Sequence, residues 1–591
     1  MSGELRRSRR PSDALTATMS RALRLGPRRN AITIDRGLRV PMRDGTILIA
    51  DHYAPLTAAA RPTVLMRCPY GRGPQFAFPA WTLAERGYHV LLQSSRGTFG
   101  SGGRFKPAVD EAGDGQDTVA WLRGQPWFSG RLALVGQSYL AFAAWALATD
   151  PPPELTAMAL FISPHDLADA GFGRGPFELY NLLSWSDLVA NQERLGLVRN
   201  AWRTVTTERR LAVAMSQLPI DATGAGLDGG APWYSEWLTH PDRSDPYWEP
   251  FSAAAALDRV TVPTLLISGF HDFFVEQTVA QYERLRDRGV TTALTIGQWA
   301  HMSFDVAAAL RQAIAWLDTF ADGDASSPPP RTSPVRVWTS GAGRWRDLPD
   351  WPLADATPVT WYLLGAGRLA DSPGPSRNGS VHEQISADAT TFRYNPADPT
   401  PAIGGRVMSV RNGGSRDNSA IEARADVLTF STAPLEEPVE VAGTPRVELY
   451  LSSDNPYCDI FVRLCDVDPR GRSRNLTDQI VRCSPANVAP EQVRLMGVEL
   501  TGVSHVFRPG HRIRLQVSGG AHPRFARNLG TDADLLHGTR TAPVTHHIQH
   551  SARYPSALVL PVLPVQAQQP ADELTSAGAR LSQNDQAAAC Q

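Results

Sequence analysis

The sequence predicts a mostly parallel α/β sheet with a helical insertion, followed by an all-β region, and three observations predict it. Over the first half, short apolar runs alternate with helical patterns, as in strands wound in parallel with covering helices. Over 151–245 the alternation gives way to helical pattern alone. Beyond Pro328-Pro329-Pro330 come many short alternating runs, such as Val335-Val337, Val447-Leu449-Leu451 and Ile513-Leu515-Val517, parted by Gly, Pro and Asn-Gly turns. At 591 residues the chain is too long for one core.

Residues 1–30 are basic, with Arg6, Arg7, Arg9, Arg10, Arg28 and Arg29, and lack the apolar run of a secretory signal, so a flexible tail is expected. From 31 to about 55, Ile32, Ile34, Val40, Ile47 and Ile49 alternate with polar residues around Arg43-Asp44-Gly45, which predicts an antiparallel hairpin with Asp-Gly at its tip. Thr63-Val64-Leu65-Met66, 88–92 and 132–135 predict buried parallel strands, with helices around 78–86 and 115–123 between them. Residues 31–150 are thus the first part of an α/β domain. Pro151-Pro152-Pro153 ends the helix over 139–149 and opens the insertion, 151–245, whose helices at 177–192 and 198–217 are expected to cap the strand ends. Strands at 264–268 and 292–296 and a helix over 306–320 complete the domain over 246–325. A β-sandwich is expected over 326–566, and a disordered tail rich in Gln, Ala and Asp over 567–591.

Composition narrows the function. A formal net charge of -1 offers no field for steering nucleic acid. Arg and Asp interrupt every apolar run before it reaches the roughly 18 residues that span a bilayer, so no membrane partner is expected. Cys68, Cys458, Cys465, Cys483 and Cys590 have no C-x-x-C spacing, which favours neither a disulfide framework nor a zinc site and points to a reducing cytoplasm. His546-His547-His550 lies in a β-rich stretch and Asp114 with Asp117 on a helix face, so neither is read as a metal site, and no cofactor is expected. A homodimer is left open.

The chemistry gathers at Gly136-Gln137-Ser138-Tyr139, between the strand at 132–135 and the helix that follows. A serine caught in such a turn has its hydroxyl pushed out of the sheet beside backbone N–H groups. Leu140 replaces the last glycine of G-x-S-x-G, so the bare motif is weak, and a serine that merely caps a helix is the competing reading. Order strengthens it. In α/β hydrolases the triad runs Ser, then Asp or Glu, then His, each after a strand, and Ser138, Asp272 and His301 satisfy both conditions. The serine needs an imidazole to accept its proton, and the imidazole needs a carboxylate to hold its tautomer. His271 and His165 are the competing bases, and Asp272 as a loop cap is the competing reading of the acid.

These residues, with Cys68-Pro69-Tyr70, Ser95-Arg96-Gly97, 117–127, His240-Pro241-Asp242, 269–272, 297–301 and Phe392-Arg393-Tyr394-Asn395-Pro396, resemble the cocaine esterase and X-Pro dipeptidyl-peptidase (CocE/NonD) group of α/β hydrolases over about 32–565. The resemblance implies an α/β-hydrolase fold with a helical cap and a carboxy-terminal jelly roll. It implies Ser138 as nucleophile, His301 as general base and Asp272 as its partner, with an oxyanion hole from the Tyr139 N–H and the Tyr70 hydroxyl. Three positions depart from the family pattern: Ala141 stands where glycine is usual, Gln298 where proline is common, and Ser94 where aspartate often sits.

Amino-acid ester hydrolases of the group place acidic residues two and three positions after the catalytic aspartate, where this chain has Phe274 and Val275. By resemblance to cocaine esterase, Phe274 and Trp185 would line an acyl pocket, although Trp185 as plain cap core is an even alternative. The expected partner is a small-molecule ester or other acyl substrate. Three functions are weighed: an esterase for an apolar or aromatic acyl group, an X-Pro dipeptidyl-peptidase, and a sugar-binding protein with a vestigial hydrolase domain.

Overall fold

The computed structural model describes residues 18, 20–26, 29–56, 61–194, 196–227, 230–324, 326–373, 389–485 and 491–564. Ten strands form the first sheet: β1 (Ile32–Pro41), β2 (Ile47–Pro55), β3 (Thr63–Cys68), β4 (His89–Ser94), β5 (Leu132–Gln137), β6 (Leu155–Phe161), β7 (Thr264–His271), β8 (Thr292–Ala300), β9 (Val335–Thr339) and β10 (Arg344–Leu348). Their order is β1-β2-β4-β3-β5-β6-β7-β8-β9-β10. The strands from β4 to β9 run parallel, and antiparallel partners close both edges. The chain winds outward from β3 to β4, then crosses back to place β5 on the other side of β3. Such a reversal leaves a crevice beyond the carboxyl ends of the two strands, where ligands of α/β sheets bind.

Two expectations are corrected here. Leu155–Phe161, expected inside the insertion, is β6, a sheet strand between β5 and β7, so the insertion opens after Phe161. Its sequence LTAMALF is nearly all apolar, a pattern that a buried strand shares with a buried helix, and the preceding prolines masked the return to the sheet. Val335–Thr339, expected in the β region, pairs in parallel with β8, and Arg344–Leu348 closes that edge. An open edge on β8 would present unpaired N–H and C=O groups, and the hairpin covers it.

The basic tail is also not uniformly free. Among its described residues Leu25 is buried, and Arg86 donates 3.2 and 2.5 Å bonds to its carbonyl. The Asp-Gly hairpin tip, with Gly45 at φ 83°, is as expected. Residues 567–591 lie outside the described residues.

Helices α1 (Pro74–Ala84), α2 (Glu111–Arg123) and α3 (Tyr139–Leu147) follow β3, β4 and β5. Every residue of α3, YLAFAAWAL, is buried, as its all-round apolar sequence demands. Between β6 and β7 lie α4 (Leu167–Phe172), α5 (Leu179–Asn191), α6 (Leu197–Ser216) and α7 (Pro232–Thr239). Past α8 (Ala256–Arg259), α9 (Val275–Asp287) follows β7 and α10 (Val306–Phe320) follows β8. Among the described residues the remaining thirteen strands form one hydrogen-bonded all-β system about a core that includes Val447, Leu449, Ile460, Leu464 and Leu515.

An ion cluster joins the parts, buried except at Glu276, whose side chain is 34% exposed. Arg174 of the insertion pairs with Glu178 (3.1 Å) and with Glu276 of α9, while Arg406 of the all-β domain reaches Glu276 at 3.3 Å and Asp478 at 3.6 Å. Arg463 and Arg524 complete the shell of Asp478 at 2.9 and 2.7 Å. Burial pushes Asp478 up, but Arg524, Arg463 and Arg406 outweigh it and hold the carboxyl below its ordinary range.

Candidate active site

Tyr70 and Ser138 follow β3 and β5, the adjacent strands at the reversal. Ser138 holds φ 54° and ψ -125°, a strained conformation for a residue with a side chain, and its N–H is anchored on the Phe161 carbonyl at 2.9 Å. The turn is tight enough to exclude any side chain at 136, where a Cβ would meet the Leu140 oxygen at 2.4 Å. Leu140 and Ala141 fit without glycine because both pack into the core, 1% and 0% exposed.

The structure brings all three predicted triad residues together. Ser138 Oγ lies 3.1 Å from His301 Nε2, and His301 Nδ1 lies 2.6 Å from Asp272 Oδ1. Fully buried Asp272 spends its other oxygen on the Ser268 hydroxyl (3.0 Å) and the Phe274 N–H (2.9 Å), which fixes the carboxylate's plane. Beneath it β7 and β8 touch so closely that a Cβ on Gly269 would lie 2.2 Å from the Trp299 oxygen. The competing imidazoles make no contact of this kind with Ser138 among the described residues. His165 Nδ1 meets Gln281 Nε2 at 3.1 Å and burial lowers its pKa to about 4; burial does the same to His271, which feels the charges of Asp478 and Arg406.

The Tyr70 hydroxyl accepts a 2.8 Å bond from the Trp185 indole N–H. Burial pushes its phenol well above its ordinary pKa against that bond, and the nearby Ser138 hydroxyl bears on it as well. With an acceptor site taken, the phenolic proton is left to point elsewhere. Tyr139 is the first residue of α3, so its N–H has no intrahelical acceptor, while its own hydroxyl takes a 2.8 Å bond from the Ala108 N–H. The Trp185 ring stacks on Tyr139 at 5.9 Å, and Phe274 meets the His301 ring edge-on at 5.4 Å. Trp185 thus packs against the core and also contacts both Tyr70 and Tyr139.

Ser138 opens on a pocket lined by Trp185, Phe274, Trp237, Trp248, Phe273, Leu167, Leu182 and Met408, with the Asn181 amide among its few polar groups. Sequence reasoning missed Trp237, Trp248, Phe273 and Met408. Met408 comes from the all-β domain, where its N–H donates a 2.8 Å bond to Asn181 Oδ1, and nothing local to its sequence marks it. Two family departures find partners: Gln298 Oε1 accepts from the Trp338 indole at 3.0 Å, and Ser94 meets Arg72, whose carboxylate is Asp51 at 3.1 Å.

Residues 44–303 match the family model described as X-Pro dipeptidyl-peptidase (S15 family), and 330–559 match the X-Pro dipeptidyl-peptidase C-terminal non-catalytic domain. The cocaine esterase of Rhodococcus sp. (strain MB1 Bresler) is 31% identical over 580 residues, covering 90% of this chain and 99% of that relative. The chain belongs to this family of serine hydrolases. Its fold is shared with an aminopeptidase from a marine sediment archaeon, Thaumarchaeota archaeon (23% identity, TM-score 0.75, 91% of this chain and 97% of that one). It is shared equally with an α-amino acid ester hydrolase (22% identity, TM-score 0.75, 90% and 97%). The family's α/β region contains the residues of the constellation above, and its C-terminal region contains Met408. Among the described residues, no group of three or more His, Cys, Asp or Glu could hold a metal, and no helix is long and apolar enough to cross a membrane.

Proposed function

We propose that this serine hydrolase cleaves carboxylic esters with an apolar, preferably aromatic, acyl group through a covalent acyl-enzyme. The observation that carries the reading is the pocket beside Ser138, whose lining is aromatic and aliphatic and contains no charged side chain. An aromatic acyl group gains by leaving water there, at about 25 cal/mol per Å² of apolar surface. The ammonium of a peptide or amino-acid ester would meet no carboxylate in it, and burying it unpaired would cost several kcal/mol. Glu276, the next acid along the chain, is already committed to Arg174 and Arg406. For these reasons the dipeptidyl-peptidase reading ranks second.

In the proposed mechanism Ser138 Oγ attacks the ester carbonyl carbon while its proton passes to His301 Nε2. Asp272 holds Nδ1–H and stabilises the imidazolium. The oxyanion takes hydrogen bonds from the Tyr139 N–H and the Tyr70 hydroxyl, whose remaining capacity is used by Trp185. The ester C–O bond breaks, His301 returns the proton to the departing alcohol, and water then cleaves the Ser138 ester by the reverse roles. A panel of aryl and alkyl esters with an X-Pro anilide tests the reading. Turnover of the aryl esters, lost in Ser138→Ala, is expected; faster turnover of the anilide would favour the peptidase.

A further inference from the structure

A second pocket beside the triad has no part in the mechanism above. It is lined by Asp187, Asn191, Arg203, Thr204 and Thr207, together with Met302, the residue after His301. Trp185 and Met408 line both this pocket and the apolar one, so the two adjoin. The two differ in chemistry: the first has no charged side chain, whereas the second sets Asp187 and Arg203 among Trp185, Leu188, Met302 and Met408.

The charge has a definite sign. Asp187, with a side chain 4% exposed, is bound at one oxygen by Arg203 and at the other by Arg210 at 2.6 Å. One carboxylate is thus shared by two guanidiniums, which leaves a positive excess. Of the two, Arg203 lines the pocket, 25% exposed. Glu208, the acid on the same helix, keeps its charge but is not part of the lining; it accepts from the Ser409 hydroxyl and acts on Arg416. In ester cleavage the departing oxygen receives its proton from the imidazole, so the alcohol lies on the imidazole side of the carbonyl carbon.

We propose that this pocket receives the leaving alcohol and that Arg203 selects alcohols that carry a carboxylate, an inference that rests on the esterase reading. A carboxylate there gains charge-assisted hydrogen bonds from a guanidinium whose own counter-ion is already divided. The test compares kcat/KM for the benzoates of phenol, 3-(carboxymethyl)phenol and 3-(aminomethyl)phenol, in which a methylene separates the charge from the reacting oxygen. The intact chain is expected to prefer the carboxylated ester over the neutral one by about tenfold and the cationic ester least, with the preference shrinking as salt is raised. Arg203→Gln is expected to reduce the carboxylated-to-neutral ratio about tenfold, and Arg203→Lys to restore part of it. A ratio at or below one in the intact chain, or one that Arg203→Gln leaves unchanged, would overturn the inference. The charge series on the intact chain is decisive even if the Gln variant fails to fold. If none of the three benzoates is hydrolysed, the esterase reading falls and the inference with it.

Discussion

At the scale of single residues, the telling contact is the bond from the Trp185 indole to the Tyr70 hydroxyl. It ties the proposed oxyanion donor, which follows β3, to the wall of the pocket beside Ser138, so on the proposed function substrate shape and charge stabilisation would meet at one side chain. If the Tyr70 proton serves the oxyanion, Tyr70→Phe lowers kcat by roughly 10² to 10³ with KM little changed, as steady-state kinetics would reveal. Equal turnover would remove Tyr70 from the mechanism. Because burial raises the Tyr70 pKa above its ordinary value, the phenol keeps its proton beyond the usual tyrosine range. The kcat profile should therefore show no loss from tyrosine ionisation up to about pH 10. A fall near pH 9 that disappears in Tyr70→Phe would contradict this. The juxtaposition of Ser138, His301 and Asp272 was legible in the sequence because each directly follows a strand. The Trp185–Tyr70 bond was not, since it joins residues separated by 115 positions and leaves no mark on local periodicity.

At the scale of elements, regular patterns could be read and ambiguous ones could not. The amphipathic helix Val306–Phe320 has the bounds its spacing implies, because one face carries Leu310, Ile314 and Leu317 to the core. LTAMALF carries no such asymmetry, and its place as β6 is decided by the neighbours β5 and β7. Likewise, nothing in Val335–Thr339 says whether it covers the edge of β8 or begins the next sheet; the unpaired edge decides. The turn between β5 and α3 is the element on which catalysis would depend. Gly136→Ala places a Cβ 2.4 Å from the Leu140 oxygen and must displace backbone. A loss of about 1–3 kcal/mol in urea unfolding is expected, with Ser138 activity falling alongside. An unchanged midpoint would show that the turn is looser than described.

At the scale of the whole molecule, the all-β domain is bound into the site through charge. Its Arg406 meets Glu276, four residues after Asp272, and its Met408 lines the pocket beside Ser138. Burial pushes Glu276 up, but Arg174, Arg406 and the Thr501 hydroxyl bring it down to about 2. A depressed carboxyl contributes stability that is complete above its unfolded pKa of roughly 4.3 and is lost as pH falls toward the folded value. The stability gap between the native chain and Glu276→Gln should thus be constant above about pH 5 and close toward about pH 2, as urea unfolding across pH would show. A gap independent of pH would deny Glu276 its role as a clamp. This cluster could not be read from the sequence, because its arginines and acids come from three separate regions and become partners only when those regions pack.

The central claim, that acyl transfer passes through Ser138, is tested most directly by mixing the protein with an activated aryl benzoate, quenching within one turnover and locating the acyl group by peptide mass spectrometry. The account predicts one benzoyl group on the peptide that carries Ser138, formed in a burst of phenol release and absent in Ser138→Ala. Continued hydrolysis with no acyl group on that peptide, or an undiminished burst in the variant, would contradict it.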